Sequence, residues 1–257
     1  MGILDWFQRR PEASKVPRVG TTALFYAPPG TPDARVHGFP TVGSDEERAA
    51  PLAWIEGDAS PLGVRVLDCR SVTRGSVSVM EDAAALEVYA RLREDLGGEH
   101  VRGRRPAGDR VIDVDLGYDV PSLPEGRVFS SPRLEYKWDL ARHGTRLVFS
   151  RSWTGAVEYS AAFERSGELL SIRTIEVPRR SEDGDVNDRL DVLSFDFLVR
   201  TYLLGEIAPH PFADVFERAD TNAVALASMK RFGCDARYGA PVRDLWAMRL
   251  GRVTGEK

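Results

Sequence analysis

The spacing of apolar positions changes several times along the chain, and each change marks an element. In PLGVRVLDCR, residues 61–70, Val64, Val66 and Asp68 alternate with Arg65, Leu67 and Cys69, the period of a strand entering a core. Leu86, Tyr89, Leu92 and Leu96 then fall on one helical stripe, with Asp82 placed to cap it and Gly97-Gly98 placed to end it. RVIDVDLGYDV, ending before Pro121, reads as another strand. Three turns, His143-Gly144, Thr154-Gly155 and Ser166-Gly167, recur between β-rich runs, the rhythm of a four-stranded antiparallel meander. From Val186 to Leu204 the chain is helical, with Asp185 as cap and Gly205 and APHP as stop. The second half of this helix carries little polar surface, so it is expected to lie buried against the sheet. A further helix is expected over 222–231, before a loose C-terminus that holds Trp246.

Residues 1–60 lack such order. Pro, Gly and charge dominate YAPPGTPDARVHG and TVGSDEERAAP, with room only for short strands near 21–26 and 52–56. The expected architecture is α+β: an antiparallel meander of at least four strands packed on a long buried helix, with one or two further helices. It forms one domain over 61–257, behind an irregular arm over 1–60.

Composition narrows the partners. At 257 residues and 42% hydrophobic the chain can bury a substantial core. Its apolar runs are broken by charge well short of a membrane span, so integral membrane association is not expected. A net charge of −4 offers no long-range attraction for nucleic acid. The one basic cluster, Arg102, Arg104, Arg105 and Arg110, sits in a stretch with Pro and Gly and reads as a solvated loop. Of 35 basic residues only Lys15, Lys137, Lys230 and Lys257 are lysine, an arginine bias typical of GC-rich bacterial coding. Cys69 and Cys234 make neither a disulfide framework nor a metal site, the four His are scattered, and no phosphate loop or nucleophile elbow occurs. No cofactor or metal is expected. The start MGILDWFQRR has no signal-peptide form, so a cytosolic location is expected. Ile3, Leu4, Trp6 and Phe7 share one face of a short amphipathic helix, suited to docking on the protein's own body or on a partner.

The densest chemistry lies in KWDLARHGTRLVFSRSWTG, residues 137–155. With His143-Gly144 as a two-residue loop, and His143 tolerating positive φ, Arg142 faces Thr145. Trp138 then faces Phe149, Tyr136 faces Arg151 and Leu134 faces Trp153. That face is apolar except for Arg151. The reverse face, with Glu135, Lys137 and Asp139, is expected to be wet. Arg151 among aromatic side chains needs a partner. A carboxylate would be structural, Glu158 if the next loop has two residues; a bulged loop puts Tyr159 there instead. The other possibility is a bound anion. His210, between prolines, either presents a side chain or closes a loop, and Cys69 reads as a small buried hydrophobe.

Three phrases resemble an uncharacterised group of bacterial proteins: the SPLGVRVLD strand, the KWD…SRSWTG hairpin and the PHP segment at 209–211. The resemblance spans roughly residues 60–212, places Lys137, Trp138, Asp139, Arg151, Trp153 and His210 at matching positions, and implies a shared fold without an activity. The leading expectation is a non-catalytic binding or accessory protein, an adaptor or immunity-type protein, that meets another protein through a sheet surface or through Ile3, Trp6 and Phe7. The alternative is an enzyme or small-anion sensor with a pocket between sheet and helix, built on Arg151 with Tyr136, Trp138, Trp153, Glu158 and His210.

Overall fold

In the computed structural model, residues 43–254 are described apart from 79, 81 and 180–184. Helix α1 (Asp45–Ala49) is held by a capping box between Ser44 and Glu47, and strand β1 (Trp54–Ile55) follows it. Organised structure therefore begins before residue 60. β1 pairs with β2 (Val66–Asp68), whose three residues are all buried, so both of its faces meet protein. A short helix α2 (Arg70–Thr73) follows. In α3 (Ala83–Glu94) the Asp82 carboxylate accepts the amides of Ala84 and Ala85. Tyr89 and Leu92 are buried as the stripe requires, but α3 stops before Leu96, which is exposed.

Seven strands form the larger sheet. β3 (Arg110–Asp119), β4 (Gly126–Phe129), β5 (Trp138–His143), β6 (Arg146–Arg151), β7 (Val157–Ala162) and β9 (Leu169–Val177) run in the order β3-β9-β7-β6-β5-β4, and β8 (Glu164–Ser166) pairs with β9. All its pairings are antiparallel, and the expected meander is its centre. The long helix α4 (Asp185–Tyr202) packs on this sheet, where Phe195, Leu198 and Val199 join Trp138, Leu140, Leu147, Phe149 and Tyr159 in one core.

A second sheet was not visible in the sequence. β10 (His210–Phe212) runs parallel to β11 (Tyr238–Pro241), and with β2 and β1 they form a four-stranded sheet in the order β1-β2-β11-β10. β10 is at its edge, where prolines are tolerated because no ladder bond is demanded of them. Helix α5 (Thr221–Phe232) precedes β11, and α6 (Val242–Thr254) follows it, so the C-terminal stretch expected to be loose is a strand and a helix. α4 lies between the two sheets: Leu193 packs with Val64, Val66, Ala240, Val242 and Leu245, while Phe195 faces the larger sheet. This double burial accounts for apolar residues on two sides of it, Leu193 toward the smaller sheet and Phe195, Leu198 and Val199 toward the larger.

The hairpin departs from expectation in two ways. The turn is one residue further on: His143 pairs with Arg146, Trp138 with Arg151 and Leu140 with Phe149. Gly144 takes the positive φ, +60°, and among the described residues no other type does, so His143 is an ordinary strand end. Because partners slide by two residues, the side chains within β5 and β6 keep their predicted faces, but Leu134 and Trp153, expected on the Arg151 face, lie beyond the ladder and pack with Met80 and Tyr89 on the reverse side under α3. The second departure is burial. The reverse face is not wet, for Glu135, Lys137, Asp139, Ala141, Val148 and Ser150 are all buried. α3 and the 3-10 turn after it cover this face: Arg93 binds the Asp139 carboxylate through both terminal nitrogens, and Val101 packs with Ala141, Val148 and Val157. The Ser131 amide completes the Asp139 site at 2.7 Å.

Candidate functional site

At the base of the hairpin two cations and two indoles cross over. The Arg151 guanidinium lies 4.6 Å from the Trp138 ring centre, and the Lys137 ammonium lies 3.9 Å from that of Trp153. Each pair converges on one backbone carbonyl. The Arg231 carbonyl accepts Trp138 Nε1 at 2.9 Å and Arg151 Nη1 at 2.6 Å; the Leu134 carbonyl accepts Trp153 Nε1 at 2.9 Å and Lys137 Nζ at 2.6 Å. Lys137 and Trp138 point to opposite faces by strand alternation, and Trp153 reaches Lys137 instead of sharing the Arg151 face because β6 ends at Arg151 and the chain turns over 152–154.

Arg151 therefore has a structural partner, but not a carboxylate. Its other terminal nitrogen donates to the Lys230 carbonyl at 2.9 Å, so it caps the last turn of α5, where carbonyls lack helical partners and the dipole favours a cation. Neither Glu158 nor Tyr159 stands opposite Arg151. Its amide bonds to Ala156, and Glu158 occupies an irregularity in the β6–β7 ladder.

Beside this cap is a cleft of about 250 Å³ lined by Lys137, Arg151, Trp153, Thr154 and Lys230. Three lining side chains are cations, one offers a hydroxyl, one an aromatic face, and among the described residues none is a carboxylate. Of the five N–H groups of a guanidinium, the cap uses two. Lys137 is the buried cation of the set, with Nζ also 3.0 Å from Ser78 Oγ. Burial pulls its pKa down to about 8, the Glu135 carboxylate opposing and Arg151 adding to the shift.

The remaining candidates are placed elsewhere. Tyr136 packs on Phe129 and bridges to Gly233 beside the hairpin, and Glu158 is half-buried without lining the cleft. His210 is fully buried among Phe197, Phe212 and Phe232, with Nε2 2.7 Å from Ser228 Oγ, and does not reach Arg151. The space between the aromatic face and α4, where a pocket was expected, is filled by core: Phe149 and Phe195 meet edge to face at 5.5 Å. Ile3, Trp6 and Phe7 lie outside the described residues. The Arg-rich loop is internally paired, Arg102 with Glu99, Arg105 with Glu176 and Arg110 with Asp188. Both thiols are buried, and burial pushes that of Cys69 up to about 12, so neither is poised as a nucleophile.

A second cavity, of about 280 Å³, lies between β3, the C-terminal half of α4 and α6. Its charges answer one another: Arg200 binds Asp196 and Glu206, and Arg249 binds the Asp115 carbonyl. Among the described residues no cluster of His, Cys, Asp and Glu could hold a metal, and no helix is long and apolar enough to cross a membrane.

Reading the sequence alone missed Thr154 and Lys230 as partners of Arg151. Lys230 lies 79 positions from Arg151, and only the docking of α5 on the hairpin joins them. The usable signal was the scarcity of lysine, since two of the four line one cleft. The chain matches no protein-family model, no curated protein and no solved structure.

Proposed function

We propose that this is a non-catalytic binding protein that takes a small anion, or the anionic group of a larger ligand, in the cleft of Lys137, Arg151, Trp153, Thr154 and Lys230. The observation that carries this reading is the charge of the lining: three cations and no carboxylate, beside the capped end of α5. A concave lining with three cations and no carboxylate attracts anions even with Arg151 partly answered by the α5 carbonyls and Lys137 by Glu135, and the spare guanidinium donors suit carboxylate or phosphate oxygens. Neither thiol nor the imidazole of His210 lines this cleft, so no thiolate or imidazole is placed to act on a ligand held there, which favours binding over turnover. The arginine-rich, lysine-poor composition supports a bacterial source, and the amphipathic spacing of Ile3, Trp6 and Phe7 supports a protein partner as a second contact.

Calorimetric titration with inorganic phosphate and sulfate at low ionic strength tests the reading. Lys230 contributes only its carbonyl to the cap, so Lys230→Ala leaves the fold intact. Wild type is expected to bind with an affinity that falls as salt rises, and Lys230→Ala about tenfold more weakly, about 1.4 kcal/mol, at an unchanged melting temperature. Absence of binding by wild type, or equal binding by the variant, removes the proposal.

A further inference from the structure

Lys137 differs from the other cations of the cleft. Arg151 is pinned to the end of α5 and Lys230 is exposed, whereas Lys137 is 8% exposed and its nitrogen is fixed from two sides, by the Leu134 carbonyl and Ser78 Oγ. A neutral amine has two N–H bonds, which match those two oxygens, and it keeps a lone pair. The surroundings favour the neutral form. Burial, together with the Arg151 charge, outweighs the Glu135 carboxylate and the Trp153 π face, which favour the ammonium. At pH 7 an amine with a pKa of about 8 is neutral in about one molecule in ten, against about three in ten thousand at the ordinary value of 10.5. A desolvated lysine beside another cation is the arrangement that activates an amine toward carbonyl carbon.

We propose that Lys137 captures a small anionic carbonyl compound, an aldehyde acid or 2-oxo acid, as a reversible imine, with the ligand carboxylate held by Arg151 and Lys230. This rests on the reading of the cleft as an anion site and names the ligand class. The Nζ lone pair forms the new C–N bond while the carbonyl π pair moves to oxygen. Proton transfer from nitrogen to that oxygen and loss of water then give the imine. The net change is amine plus carbonyl to imine plus water, without oxidant or reductant. Thr154 lines the same cleft and offers a hydroxyl to the carbonyl oxygen. A cleft of about 250 Å³ has room for a compound of two to four carbons.

The test uses glyoxylate with the full chain, reduced by cyanoborohydride so that an imine becomes a stable secondary amine. Intact mass and peptide mapping then give the labelling rate at each lysine. With only four lysines in the chain, each site is resolved separately. At pH 7, Lys137 is expected to be labelled at least about tenfold faster than Lys230, as its larger neutral fraction requires. Inorganic phosphate should slow labelling at Lys137 and leave that at the two other lysines, Lys15 and Lys257, unchanged, and neutral acetaldehyde should show a smaller preference for Lys137 that phosphate does not alter. Labelling of Lys137 no faster than that of Lys230, or none, overturns the proposal. If phosphate still binds in that case, the anion site stands and only the covalent step is lost; if phosphate does not bind either, both fall. Lys137→Arg, which retains the charge, should keep phosphate binding and lose the fast-labelled site. Should that variant fail to fold, the rate ratio in the wild type decides alone.

Discussion

Trp138 and Arg151 show how one residue acquires two duties. Both donate to the Arg231 carbonyl, and Arg151 also caps Lys230, so the hairpin is fastened to α5 by a stacked cation and an indole. Removing the guanidinium leaves one carbonyl without its donor and another with one donor fewer. Arg151→Ala is therefore expected to cost about 1–3 kcal/mol, read as a lower urea midpoint at unchanged slope. A midpoint equal to wild type would show that water replaces the cap without loss. This dual role was half legible: Arg151 stood out as a cation among aromatics, but the expected carboxylate was wrong because a helix end supplies the same negative potential through its carbonyls. Glu135, Lys137 and Asp139 were misjudged for a related reason. Alternation marks two faces but does not say what covers the second, and Arg93 from α3 makes a polar face burial-compatible by pairing with Asp139.

Among the elements, α5 was predicted within a residue or so at each end, yet its importance is in where it stops. Gly233 follows it at φ +83°, and a Cβ there would lie 2.4 Å from the Glu135 carbonyl, the same carbonyl that receives the Cys234 amide. The chain passes so close to β5 that only glycine fits. Gly233→Ala combines a left-handed backbone with a backbone clash and is expected to lower stability by about 3 kcal/mol or more, seen as a clear fall in melting temperature. A variant that melts with the wild type would mean that the junction yields easily. The meander, α3 and α4 were legible because period, caps and turn glycines are local signals. β10 and β11 were not, since three- and four-residue strands containing proline show no period, and their pairing is parallel and separated in sequence.

At the scale of the whole molecule the two sheets meet around α4, and His210 lies in that joint. Its ring is close enough to β11 that a Cβ on Gly239 would lie 2.8 Å from Nε2. Burial lowers its pKa to about 3 from 6.5. The unfolded chain takes up a proton below about pH 6.5, and the folded chain does so only near 3. The contribution of His210 is thus fully present above pH 6.5 and is lost as pH falls toward 3, with a slope approaching about 1.4 kcal/mol per unit. Denaturation from pH 7 to 4 should show this loss, and His210→Gln should flatten it relative to wild type. Identical pH profiles would indicate that His210 takes up its proton in the fold as readily as in the unfolded chain. The sequence by itself determined the α+β class, the meander, the buried helix and the sorting of the hairpin onto two faces, because these follow from periodicity and turn chemistry within short windows. The tertiary structure alone decided that the second face is covered, that a second sheet assembles from remote fragments, and that Lys137, Arg151 and Lys230 share one cleft. Those outcomes depend on contacts between elements, whose energies are set by which surfaces meet and leave no period in the chain.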